Sequence, residues 1–295
     1  MAAVTAEVEV PVMRESLAPK ILRFVGRAPV HLVLVAIGTL WLVPTIGLFL
    51  TSLLSAQDYN NIGWWKVLAH PHFSTWVNYG NLIHHTSIPH SLGTTAEIAI
   101  GGTALPILIG ALAGYAFAWL DFPGRDWLFI LVIALLVVPI QMALIPMFKL
   151  YNTLHLYDNV FGLILFHTAF GLPFAIFLLR NFFIGIPKDV FESARIDGAS
   201  EIKIFVRLVL PLGLPAIASL AIFQFLWTWN DLLVALTMAR NVQPITVAIF
   251  SNLRQFGTNI DLIAPASFLS LAIPLCVFFA FQRYFVQGLL AGSVK

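Results

Sequence analysis

Residues 187–215 read PKDVFESARIDGASEIKIFVRLVLPLGLP, an island of charge in an otherwise oily chain. Eight of the chain's thirty charged residues fall between Lys188 and Arg207, four acids and four bases, with long apolar runs on both sides. A chain that crosses lipid must keep such a segment outside the hydrocarbon, where it can touch something soluble.

The rest of the chain sets that context. Hydrophobic residues make up 59% and charged residues 10% of 295 positions, and the mean hydropathy is +0.90. Soluble domains carry about 25% charge, so the composition predicts an all-α membrane protein. A net charge of +2 gives no electrostatic basis for a nucleic-acid partner. The single cysteine, Cys276, excludes an intramolecular disulfide.

Apolar stretches of roughly 20 residues mark transmembrane helices. Six are expected, at 29–54, 93–120, 127–149, 159–180, 212–236 and 262–287. The first is too long for a signal-peptide core and lacks a small-residue cleavage site, so it reads as a retained span. Gly101, Gly102, Gly110 and Gly114 in the second allow close helix packing, and Pro106 predicts a kink there. Pro139, Pro146, Pro173 and Pro274 are expected to act similarly in the other spans.

Basic residues orient the chain. With a cytoplasmic N-terminus, that side receives Arg14, Lys20, Arg23, Arg27, Arg125, Arg180, Lys188, Arg195, Lys203, Arg207, Arg283 and Lys295. The other side receives only Lys66, Lys149, Arg240 and Arg254. Both termini and the island then face the cytoplasm. The connection at 55–92 lies outside and is expected to be a polar loop anchored by Trp64, Trp65 and Trp76. Its five histidines (His70, His72, His84, His85, His90) follow no compact metal-ligand spacing.

Within the island, Asp189 and Glu192 fit a reciprocal capping pattern behind Pro187. A helix through Val190, Phe191, Ala194 and Arg195 would stop near Gly198, which reaches left-handed backbone cheaply. Ser200 would cap a second short helix, which Pro211 ends or kinks into span five. Phe191, Ala194 and Ile202 are expected to fill an apolar pocket on a partner, with Arg195, Glu201 and Lys203 at its polar rim. An amphipathic helix lying on lipid is the alternative, but such helices are rich in Lys and Arg. The four-to-four balance here suits a protein partner better.

Glu192-Ser193-Ala194-x-x-Asp197-Gly198-Ala199, followed by Phe205, Leu210, Pro211 and Pro215, resembles the EAA loop of bacterial ABC importer permeases, specifically the maltose-type (MalG-like) carbohydrate permeases. Trp229-Asn230-Asp231-Leu232-Leu233 and the tail from Arg283 to Lys295 agree, and the likeness covers the chain from span one onward. Ser193 stands where the motif more often has alanine, and a small residue is kept.

The resemblance implies a type I ABC importer permease fold in the bacterial cytoplasmic membrane. It divides the chain into an N-terminal segment 1–28, a six-helix domain 29–287 and a tail 288–295. It also implies a coupling helix that sits in a cleft of a separate ATPase dimer, with Phe191, Glu192, Ala194, Asp197, Gly198 and Ala199 at the joint. ATP and Mg would be held by those ATPase subunits, and this chain would carry no cofactor. No G-x-x-x-x-G-K-[ST] loop occurs anywhere in it. A second homologous permease, forming a heterodimer or else a homodimer, and an extracytoplasmic substrate-binding protein complete the expected complex.

A sugar pathway needs hydrogen-bonding groups for hydroxyls and aromatic faces for the ring. Gln224, Trp227 and Asn230, at i, i+3 and i+6 on span five, supply both; helix–helix hydrogen bonding and aromatic packing are the alternative reading. A polyol or glycerol-phosphate-type solute is the runner-up cargo. An intramembrane enzyme would need a convergent motif, and His167 shows no nucleophile partner in the sequence. A carrier independent of an ATPase would leave the island without a use.

Overall fold

The computed structural model describes residues 17–256 and 259–291. The expected N-terminal segment therefore lies outside the described residues up to position 16, and the tail from position 292. Among the described residues the regular structure is helical apart from one isolated bridge, Leu54 to Ser74.

The helices are α1 (Leu17–Ser52), α2 (Ala56–Asn61), α3 (Lys66–Ala69), α4 (Val77–His85), α5 (Ile88–Trp119), α6 (Arg125–Leu135), α7 (Ile140–Thr153), α8 (Val160–Ile184), α9 (Lys188–Ile196), α10 (Glu201–Ile204), α11 (Leu210–Trp229), α12 (Leu233–Met238), α13 (Ile245–Phe256) and α14 (Ile260–Ala291). Among the described residues, five segments are long and apolar enough to cross a membrane: Pro29–Ser52, Ile88–Trp119, Val160–Ile184, Glu201–Trp229 and Ile260–Arg283.

The chain divides into two units, up to Gly47 and from Leu48 onward. The first holds most of α1, whose side chains from Pro29 to Pro44 are all exposed, as suits a face meant for lipid.

The second unit is held by close packing of α5 against α8. A Cβ on Gly110 would lie 2.7 Å from the Ala175 Cβ, and one on Gly114 would lie 3.0 Å from the Arg180 backbone nitrogen. These glycines let the two backbones approach, which is how helices associate where lipid supplies no hydrophobic drive. Ala111, Ala175, Leu179, Phe183, Phe205, Val209 and Leu220 close the core at the end that carries α9. Ile98, Leu163, Phe166, Val234 and Met238 form a second core toward α12. Both cores run along α5 and α8, so those helices are the fixed frame on which the charged island is mounted.

Three expectations need correction. The third span is not one straight helix: α6 and α7 meet at 99° across Leu136–Pro139. Pro139 lacks an N–H and disfavours helical backbone at Val138, so the helix stops and restarts. Span five does not start at 212 or end at 236. Phe205–Val209 form a π-turn that joins α10 to α11, with Leu210 N–H donating to the Phe205 carbonyl. Glu201–Trp229 is thus one continuous span, and Pro211, falling in the first turn of α11, neither ends nor breaks it. Lastly, the connection at 55–92 is not a loop but a string of short helices, whose Val67 clusters with Leu50 and Leu54 just before it.

Candidate functional site

The island forms a corner. α9 ends in a Schellman arrangement: Gly198 N–H donates to the Arg195 carbonyl and Ala199 N–H to the Ala194 carbonyl, both at 3.0 Å. That geometry needs left-handed backbone at Gly198, whose φ is +76° with open space where a side chain would sit. Ser200 Oγ then accepts the Lys203 N–H and starts α10. The bend at Gly198 and the Ser200 cap stand as the sequence suggests.

The capping expected of Asp189 and Glu192 does not occur. Pro187 occupies the N-cap position with no side-chain bond. Glu192 instead meets Lys188 at 2.7 Å, which holds the Glu192 carboxyl below its usual range and the Lys188 amine above its own. Because the helix already starts at Lys188, Asp189 falls inside its first turn instead of at the cap, and Glu192 pairs with the cation one turn before it.

Phe191 also differs from expectation. It is fully buried in its own chain, stacked on Trp119 of α5 at 4.0 Å between ring centres and facing Tyr115 at 6.4 Å. Trp119 is held in turn by its indole N–H, which donates to the Phe183 carbonyl. The apolar side chains that point outward are Ile202, as expected, and Ile196, at 77% and 86% exposure. Ala194 is half-buried, while Asp197 and Gly198 are exposed. Arg195 and Glu201 do not simply rim a partner pocket: Arg195 Nε and Nη2 donate to Glu201 at 2.9 and 3.3 Å, and the Tyr115 hydroxyl donates to the same carboxylate. Hydrogen bonding to Glu201 raises the Arg195 guanidinium above its ordinary value.

Tyr115 and Trp119 escaped the sequence reading. They stand at i and i+4 at the end of span two, on the membrane side to which the basic residues assign the island. Two aromatic residues at helical spacing on that side are the signal that could have found them.

At the far end of α11 the expected pathway residues separate. Gln224 and Trp227 line one cavity of about 290 Å³ with Phe170, Gly171, Phe174 and Phe223. Gln224 is buried, and its amide donates to the carbonyls of Gly102 and His167 at 3.0 and 3.3 Å. Trp227 is half-exposed and stands edge-on to His167, 5.1 Å between ring centres. Asn230 is not part of this cavity; its amide turns back to the Leu226 carbonyl. Asp231, expected inside span five, instead caps α12 by accepting the N–H groups of Val234 and Ala235. Its Oδ2 lies 3.8 Å from His167 Nε2, a pairing across two helices that no sequence spacing announces. Around it, His167 Nδ1, Thr103 Oγ1 and Thr228 Oγ1 are buried without a hydrogen-bond partner.

The family described as binding-protein-dependent transport system inner membrane component matches residues 106–290. The chain is 45% identical over 278 residues to the osmoprotective compounds uptake permease protein GgtD of Synechocystis sp., covering 92% of this chain and 93% of that one. It is 48% identical over 226 residues to the alpha-glucoside transport system permease protein AglG of Rhizobium meliloti, covering 74% of this chain and 60% of that protein's length. Among solved structures, a chain of a bacterial ABC transporter involved in import of the acidic polysaccharide alginate superposes with a TM-score of 0.61 at 16% identity. That match covers 90% of this chain and 98% of the other.

Proposed function

Because this chain belongs to the family of binding-protein-dependent transport system inner membrane components, we propose that it is the permease subunit of an ABC importer that brings a sugar or oligosaccharide into the cell. The name of the alpha-glucoside relative supports the cargo class. The proposed topology has six spans, counting α6 and α7 as one bent crossing, with both termini in the cytoplasm of a bacterial inner-membrane protein. Segments 1–28 and 288–295 flank the permease domain 29–287.

The corner of α9 and α10 carries the proposal. It presents Ile196 and Ile202 outward next to Asp197 and Gly198, while Phe191 roots it in α5. An exposed apolar pair on a rigid, internally anchored bend is the form of a plug for a cleft on another protein. That protein is a separate ATPase dimer, with ATP and Mg bound there and none in this chain. In this reading Phe191 and Ala194 hold the joint from within, while Glu192, Asp197, Gly198 and Ala199 shape its outer surface. A second permease chain and an extracytoplasmic binding protein complete the machine. Gln224 and Trp227 form the wall of the solute pathway, with Asn230 beyond the cavity.

Capture of the ATPase by detergent-solubilised chain tests the joint. Wild type is expected to retain it and Gly198→Val to release it; equal capture by both would remove the corner from the interface. The name of the GgtD relative supports a second cargo reading, a small osmoprotective solute. Ligand identification on the cognate binding protein separates a glycoside from such a solute.

A further inference from the structure

One carboxylate joins three elements at the corner. Glu201 opens α10 and, through the π-turn, belongs to the same continuous helix as α11. It accepts from Arg195 on α9 through two guanidinium nitrogens and from the Tyr115 hydroxyl on α5. Tyr115 is buried, with its ring packed 5.5 Å from Phe205.

Apolar stacking already presses α9 on α5, but it is non-directional, and the parallel faces of Phe191 and Trp119 can slide past one another at little cost. Charge-assisted hydrogen bonds fix direction as well as distance. Further along, Gln224 of α11 donates to the Gly102 carbonyl of α5. Helix α5 is therefore gripped by the Glu201–Trp229 span at two heights, once at the corner and once beside the cavity.

We infer that Tyr115 is a positioning residue of transport: through Glu201 and Arg195 it locks span two to the corner, so that α5, α9 and α11 move as one body. The inference rests on the reading that the corner docks on an ATPase. Without the hydroxyl, the corner would still dock and still move, but α5 would lag behind it.

The test uses the complete complex in lipid vesicles, with Cys276→Ser as background. Nitroxides are placed at Lys203→Cys on the corner and Gly93→Cys at the far end of α5, both exposed positions. Distances between them are compared in the nucleotide-free and ATP–vanadate states. In wild type one distance distribution is expected in both states. In Tyr115→Phe and Glu201→Gln it is expected to shift between states. A wild-type distance that shifts as much as the Tyr115→Phe distance overturns the inference and leaves the docking reading intact. Failure of the wild-type chain to capture the ATPase at all removes the docking reading, and the inference with it.

Discussion

The two ends of the Glu201–Trp229 span, about 40 Å apart at helical rise, are built in opposite ways. At the corner, the carboxylate of Glu201, the guanidinium of Arg195 and the hydroxyl of Tyr115 are all paired, over a floor of stacked rings. At the other end, His167 Nδ1, Thr103 Oγ1 and Thr228 Oγ1 are buried without partners, next to a cavity walled by Gln224 and Trp227. A buried polar atom left unpaired costs about 1–3 kcal/mol. The three polar groups of the corner are thus satisfied while three at the far end are not, although Arg180 Nε, near the corner end of α8 with its guanidinium over the Phe129 ring, is also buried without a partner. In the proposed function, a joint that transmits force and a wall that polar cargo passes would call for that difference.

The contrast can be broken most forcefully by Phe191→Ala. Removing a fully buried ring should cost about 3–5 kcal/mol, read as a large fall in the thermal midpoint of the purified complex. Trp227→Ala, at a half-exposed site, should change solute uptake while leaving that midpoint and ATPase capture nearly alone. If the two variants lost equal stability, the asymmetry would be wrong.

Gly198→Val comes next. Left-handed backbone in a non-glycine residue costs about 1–2 kcal/mol, and the open space around Gly198 means that strain, not collision, supplies the loss. Gly198→Asn, which tolerates that backbone, should recover most of it in the same melting assay.

Thr228→Val carries the opposite sign. It replaces an unpaired buried hydroxyl with a methyl of similar shape, so the complex should gain about 1 kcal/mol or hold level. A clear loss would mean that the hydroxyl has a partner in the working protein.

The smallest effect belongs to Asp158, in the turn between α7 and α8. Burial pushes its carboxyl up, but the N–H groups of Val242, Arg240 and Asn241 outweigh this and hold it below its ordinary value. A carboxyl lowered in the folded state adds stability that is present above about pH 4 and fades as pH falls through the folded value. Asp158→Ala should therefore narrow its gap from wild type as melting is followed into acid. A gap that widened would reverse the sign.

Much of the corner was legible in the sequence because its determinants are local. A left-handed glycine and a serine cap act within three or four residues, and Gly198 and Ser200 did as expected. The same locality misled at Glu192, because the helix starts at Lys188, which puts Asp189 past the cap and leaves Glu192 to pair with Lys188. The span count came from hydropathy alone, but hydropathy is blind to the 99° break at Leu136–Pro139, because both halves are equally apolar. What remained hidden was long-range: Tyr115 meeting Glu201, His167 meeting Asp231, and Gln224 reaching Gly102 join residues far apart in the chain. The direction of Phe191 was lost for the same reason, since a phenylalanine on a short helix has the same pattern whether it faces a partner or Trp119.

The π-turn at Phe205–Val209 places one residue more than an α-helix would between the corner and the cavity. Removing one residue there would close the turn to an ordinary α-turn and largely keep the direction of the corner relative to Gln224, whereas removing one from the regular stretch between Leu210 and Gln224 would rotate it about 100° around the helix axis. The turn is thus a slack link: it can take up a one-residue change in length, while the same change in the regular helix beyond it would turn Ile196 and Ile202 to another side of the span.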